Sequence, residues 1–215
     1  MRYSNADISL KALQVVLLAN WGLGREILET LARRPDLEVV RVITRRQEGH
    51  PDPWYNTVYE LATAKGLKTV DQSILSMPAL RELLLDCRAD LMIVHAFMHR
   101  LPSEVFSAPR LGTINVHGSL LPKYRGPSPT YWVVWNREPS TGLTSHFMTD
   151  GLDSGGIIHQ VMFPVGPEDT VSSILEKQKL HVGELIEGTL RKLNDPGFKA
   201  RLQDESLATN APRPQ

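Results

Sequence analysis

Cysteine is nearly missing from this sequence: among 215 residues only Cys87 carries a thiol. A single thiol excludes an internal disulfide and suits a reducing compartment. Its neighbours Leu83, Leu84 and Leu85 mark it as a small buried hydrophobe rather than a nucleophile. Charge of either sign is not in excess, with 24 Lys plus Arg against 24 Asp plus Glu. Phosphate contacts dominate nucleic-acid affinity and usually demand surplus cations, so RNA or DNA is not expected as the main partner. Long apolar runs are absent as well; none nears the roughly 20 residues that span a bilayer. Residues 1–7 are polar and lack the basic-then-apolar plan of a signal peptide. These absences predict a cytoplasmic protein with no membrane partner.

What is present reads as alternating strands and helices. Leu13–Ala19 is a short, nearly continuous apolar block of the kind buried on both faces of a sheet. After a turn at Asn20-Trp21-Gly22, the residues Leu23, Ile27, Leu28 and Leu31 recur at helical spacing, and Leu37–Thr44 is rich in β-branched residues. Strand, helix, strand is the signature of a parallel sheet. The pattern predicts further helices over 54–65 and 78–87, a short strand over 68–70, and strands over 90–97 and 112–117. The expectation is a doubly wound, Rossmann-like α/β domain with a mostly parallel sheet over residues 1–195. A helix over 169–193, capped by Thr170 or Asp169, closes it. Residues 196–215 form a polar tail on the surface.

Gly22-Leu23-Gly24 after the first strand invites a dinucleotide-binding reading. Ile27 stands where the third glycine belongs, and Thr44 and Arg45 replace the acidic end of the second strand. A tight strand-to-helix turn explains the glycines better, although a helix N-terminus there can still greet an anion. In Ile114-Asn115-Val116-His117 the period of two puts Asn115 and His117 on one strand face. The C-terminal ends of such strands are where α/β sheets hold ligands. Asp153 follows later, flanked by Gly151, Gly155 and Gly156, in a loop whose backbone can approach a flat ring. Taken singly, each has a plainer explanation: a strand histidine satisfied in the core, and an aspartate making a turn. A metal held by His117, His146 and Asp153 lacks ligand-like spacing. Ser119 lacks the elbow of a serine hydrolase.

The stretch Asn115-Val116-His117-Gly118-Ser119-Leu120-Leu121-Pro122, within residues 109–126, resembles the signature of the folate-dependent formyltransferases. Residues 141–147, the loop over 150–156 and the stretch 203–209 are similar to that family in order and spacing. The resemblance implies a catalytic set of Asn115, His117 and Asp153, with N10-formyltetrahydrofolate as formyl donor and no metal. It implies that Asn115 and a protonated His117 stabilise the oxyanion, while Asp153 keeps His117 charged and accepts the amine's proton. The pterin is expected between Phe97, Met98, His99, Arg100 and Leu101 on one side and Thr149, Asp150, Gly151 and Leu152 on the other. Ser119, Tyr124, Arg125 and Gly126 are expected to shape the loop over the acceptor, with His146 giving a supporting hydrogen bond.

The resemblance also sorts the acceptor. Glycinamide ribonucleotide transformylases carry a Gly-Ser-rich phosphate loop where this chain reads Asn20-Trp21-Gly22-Leu23-Gly24. Methionyl-tRNA formyltransferases add an RNA-binding β-domain that is not expected after Gln215. Formyltetrahydrofolate hydrolases add an N-terminal domain for which residues 1–11 are too short. The segment 54–62 and residues 115–125 look most like the sugar N-formyltransferases. The expected acceptor is therefore a small-molecule amine, an amino sugar linked to a nucleotide, with a hydroxyornithine-like amine as the alternative. Pro127-Ser128-Pro129-Thr130-Tyr131-Trp132 suits either acceptor, unless Trp132 and Trp135 are helix core. The long terminal helix and the tail offer a surface for a homodimer.

Overall fold

A computed structural model describes residues 12–46, 57–97 and 99–214. Met98 and the expected helix start at residues 54–56 lie outside the described residues. Among the described residues, seven strands form one sheet in the order β3-β2-β1-β4-β5-β6-β7. They are β1 (Leu13–Ala19), β2 (Leu37–Thr44), β3 (Thr69–Asp71), β4 (Leu91–His95), β5 (Thr113–His117), β6 (Ser140–Phe147) and β7 (Ile157–Pro164). The first five run parallel, and β6 and β7 are antiparallel additions beyond β5. The helices are α1 (Trp21–Ala32), α2 (Thr57–Ala64), α3 (Met77–Asp86), α4 (Ser103–Phe106), α5 (Pro129–Trp135) and α6 (Val171–Leu193).

The apolar block of β1 serves both faces of the sheet. Val15, Leu17 and Ala19 enter a core shared with α1, α2 and α6, whereas Val16 and Leu18 enter a second core with α3 and α4. That is the strand period of two acting on a strand buried on both sides. Thr170 caps α6 by accepting from the Ser173 N–H at 3.2 Å, and Ser173 returns the bond to the Thr170 N–H at 2.9 Å.

Asn20 ties the ends of three strands together. Its amide donates to Gln72 Oε1 at 2.8 Å and to the Ala96 carbonyl at 3.1 Å, and its oxygen accepts from the Arg45 N–H at 2.9 Å. A Cβ on Gly24 would lie 3.0 Å from Ala19 Cβ and 3.1 Å from Val58, so this glycine serves close helix packing.

Two expectations need correction, and a third is met with an addition. Trp135 is 66% exposed and so is not helix core, whereas Trp132 is partly buried against Tyr124, Val133 and Ala211 and donates to the Pro212 carbonyl at 2.7 Å. Cys87 is only half-buried, and burial still raises its thiol pKa, which keeps it an inert thiol. The polar tail lies on the surface but runs back across the loop at 123–128. Arg125 pairs with Asn210 as a β-bridge, the Ala211 N–H donates to the Arg125 carbonyl at 2.7 Å, and Ala211 is buried.

Candidate active site

Sheet order reverses between β1 and β4, and the candidate site lies at the C-terminal ends of β4 and β5, beside that switch point. Asn115 and His117 project from β5. The antiparallel register sets His146 of β6 directly opposite Asn115. The β6–β7 loop then delivers Asp153, whose φ of 47° lies in the left-handed region that aspartate tolerates better than most residues. Gly155 makes that loop possible: a Cβ there would stand 1.8 Å from the Phe147 carbonyl oxygen.

The four side chains converge. Asn115 Nδ2 donates to Asp153 Oδ1 at 3.1 Å and lies 3.2 Å from His146 Nε2. His146 Nδ1 is 2.9 Å from its neighbour's carbonyl at Phe147, which makes that nitrogen the N–H donor. Asp153 Oδ2 accepts from the Gly126 N–H at 2.8 Å and is 3.6 Å from His117 Nδ1. That last distance is close enough for attraction and too long for a hydrogen bond. His117 Nε2 is 2.7 Å from the Tyr124 carbonyl, so Nε2 carries a proton and Nδ1 is the nitrogen left for chemistry.

The charges differ from the sequence expectation. Burial pushes the His117 pKa down and outweighs both Asp153 and the Tyr124 carbonyl, so the resting imidazole is neutral rather than held charged. Burial pushes Asp153 up, but His146, His117 and the Gly126 N–H together bring it to about 2, leaving a permanent carboxylate. Both hydrogens of the Asn115 amide face partners already, so donation to an oxyanion requires one of them to be released. Catalytic hydrogen bonds often reach their final partners only once substrate is bound.

Of the expected folate residues, Leu101 is buried and Arg100 reaches across to donate to the Asp150 carbonyl at 2.8 Å, clasping the two loops. Thr149 Oγ1 bonds within its own loop, to Ser154 at 3.3 Å, and Leu152 is 67% exposed. Phe97 and His99 border an open cleft of about 530 Å³ that Arg45, Arg46, Asp71 and Gln72 also line.

The residues expected to shape the loop are tied into it. Ser119 is fully buried and donates to the Lys123 carbonyl at 2.7 Å, so it folds the loop and cannot touch an acceptor. The Tyr124 hydroxyl donates to Glu138 at 2.5 Å. Gly126 has φ 119°, and a Cβ there would stand 3.0 Å from the Ala211 carbonyl oxygen. Arg125 turns its guanidinium to Gln203 and Glu205 of the tail instead of the open side. His95, which no sequence pattern marks, lies beside His117 with Nδ1 3.0 Å from the Val116 carbonyl, and removal from water lowers its pKa to about 4. Gln203 also belongs to the site, and the resemblance over 203–209 is the one sequence signal that points to it. Among the described residues no cluster of His, Cys, Asp and Glu is arranged to hold a metal ion, and no helix is long and apolar enough to cross a membrane.

The family pattern described as Formyl transferase matches residues 15–186. A methionyl-tRNA formyltransferase from Synechocystis sp. is 34% identical over 193 residues, covering 86% of this chain and 57% of the relative. This chain therefore spans little more than half of that relative's length. Among solved structures, a phosphoribosylglycinamide formyltransferase from Anaplasma phagocytophilum aligns with a TM-score of 0.73 at 25% identity, covering 91% of this chain and 96% of that one. An N-formyltransferase from Helicobacter canadensis, solved with folinic acid and dTDP-3-aminofucose, aligns with a TM-score of 0.74 at 20% identity over 94% of this chain and 71% of that one. The sequence pattern and the sequence relative agree, and the chain belongs to the formyl transferase family.

Proposed function

We propose that this chain transfers the formyl group of N10-formyltetrahydrofolate to a primary amine, with Asn115, His117 and Asp153 as catalytic residues. The observation that carries the reading is their convergence at the end of β5, with the Asp153 carboxylate held at about 2 beside a neutral imidazole. The donor supplies the formyl carbon, and the surroundings suit it. The Arg100–Asp150 clasp holds residues 99–101 against 149–152, where backbone groups can meet a pterin edge and exposed Leu152 its face. Arg45 and Arg46 give the adjoining cleft the charge that a glutamate tail seeks.

The amine nitrogen forms its bond to the formyl carbon while negative charge gathers on the formyl oxygen. Asn115 donates to that oxygen by giving up one resting contact. His117 Nδ1 takes the proton that the amine sheds, and the carboxylate of Asp153 stabilises the imidazolium so formed. Returning that proton to N10 as its bond to carbon breaks leaves a formamide and tetrahydrofolate, with His117 neutral again.

The acceptor we assign first is a small-molecule amine, a nucleotide-linked amino sugar, because the chain carries no cationic surplus. Hydroxyornithine-like amines are the alternative within this class. A second reading, methionyl-tRNA, is favoured by the identity with methionyl-tRNA formyltransferases. The test is a panel of amines: a nucleotide-linked amino sugar, hydroxyornithine, glycinamide ribonucleotide and charged initiator tRNA. Tetrahydrofolate release and product mass are followed for each. A gain of one formyl group on the amino sugar supports the first reading, and a gain on the tRNA alone replaces it with the second.

A further inference from the structure

The tail after α6 does more than end the chain. Gln203 Nε2 donates to two carbonyls of the catalytic loop, Asp153 and Gly155, each at 2.8 Å. Its Oε1 accepts from Arg125 Nη2 at 2.8 Å and Nε at 3.1 Å. The remaining face of the guanidinium grips the two carboxylate oxygens of Glu205, each at 2.8 Å. Every donor and acceptor of the Gln203 amide is therefore committed, and the opposite orientation would set its oxygen against two carbonyls.

These bonds close a ring around Asp153. From the Asp153 carbonyl the ring runs to Gln203, then through the Arg125 side chain to the Arg125 backbone. The next residue, Gly126, donates its N–H to the Asp153 carboxylate at 2.8 Å. Arg125 is itself 9% exposed and sewn to the tail by its own backbone, its N–H donating to the Thr209 carbonyl at 2.8 Å. Asp153 needs such support because its left-handed backbone is costly for a residue with a side chain.

We propose that Gln203 is a positioning residue, held by Arg125, that fixes the Asp153 backbone and so aims its carboxylate at His117. The proposal rests on the catalytic role given to Asp153 above. A tail that merely ties down the chain end would need packing and the Arg125 ion pair but not two N–H donors at this point.

The decisive variant is Gln203→Glu, which keeps size and the Arg125 contact but replaces the donors with an oxygen; Gln203→Ala is its companion. In full-length folded protein, amide exchange at residues 153–155 should rise in both. With the amine that the wild type uses, kcat should fall about 10- to 100-fold, the cost expected when a catalytic group moves by about 1 Å. KM for donor and acceptor should stay within about twofold on that same positioning argument. The acidic limb of the kcat profile should move to lower pH, as a displaced carboxylate supports the imidazolium less. Unchanged exchange in the 153–155 turn, or wild-type kcat and pH profile in Gln203→Glu, would overturn the proposal. If the wild type transfers no formyl group, the function reading fails, and the exchange measurement still decides the role of Gln203.

Discussion

At the scale of the residue, the site works through environment more than composition. A histidine and an aspartate 3.6 Å apart could rest as an ion pair, but full enclosure of His117 costs its charged form more than Asp153 returns. The consequence is a neutral imidazole able to take a proton. In the proposed mechanism that neutral form is the active one, so kcat/KM should hold above the ordinary histidine value of 6.5 and fall only as pH drops through the lowered one. Asp153→Asn should cut kcat by about 10² to 10⁴ and move that limb further towards acid, since it removes the partner of the imidazolium. A pH series on both proteins checks this, and a limb that stays in place would contradict the pairing. Asn115→Ala should cost about 10² to 10³ in kcat while folate affinity changes little, as measured by turnover and equilibrium binding. The adjacency of Asn115 and His117 was legible in the sequence, because a strand's period of two puts them side by side, whereas Asp153 joined them only through the family resemblance. The charge on His117 was not, since it depends on how much protein encloses the ring.

At the scale of the element, short polar anchors hold the strand ends that frame the site. Asn20→Ala would strand the buried Gln72 amide and free the Arg45 N–H. The expected cost is about 1–3 kcal/mol in chemical denaturation. Gly155→Ala drives a methyl into the Phe147 carbonyl, and the loop that carries Asp153 must move. We expect soluble protein with activity down at least as far as in Asp153→Asn, checked by circular dichroism beside turnover. Elements with apolar periodicity, β1, α1 and α6, could be read ahead of the structure. Strand β6 could not, because Thr141, Thr144, Ser145 and His146 are buried polar residues that erase the usual alternation. Tertiary bonds satisfy them: Thr144 donates to the Ser119 carbonyl and Ser145 meets Thr189, both at 2.6 Å. The tail lies on the surface as its polarity suggested, but Gln203 and Glu205 spend that polarity on Arg125, a contact between distant segments that no local pattern announces.

At the scale of the whole molecule, two histidines with lowered pKa and a depressed aspartate tie acid stability to pH in one direction. His95, with a pKa of about 4 against 6.5 when unfolded, and His117 both bind protons more readily in the unfolded chain. The contribution of these histidines should therefore be constant above 6.5 and decline as pH falls from there towards about 4. Asp153 extends the decline, because its contribution is complete above 3.8 and lost as pH approaches about 2. Thermal melts across this range should show Tm falling with acid, and His95→Gln should flatten the upper part of the slope. The doubly wound sheet was legible because its strands are apolar blocks separated by periodic helices, whereas the antiparallel pair at its edge depends on contacts between distant segments. The central claim is formyl transfer by the residues at the end of β5. Its most direct measurement is tetrahydrofolate release from N10-formyltetrahydrofolate across the amine panel, with wild type and Asn115→Ala side by side under matched folate saturation. The account predicts a formylated product from the wild type and a rate lower by orders of magnitude in the variant; equal rates, or no folate binding by the wild type, would contradict it.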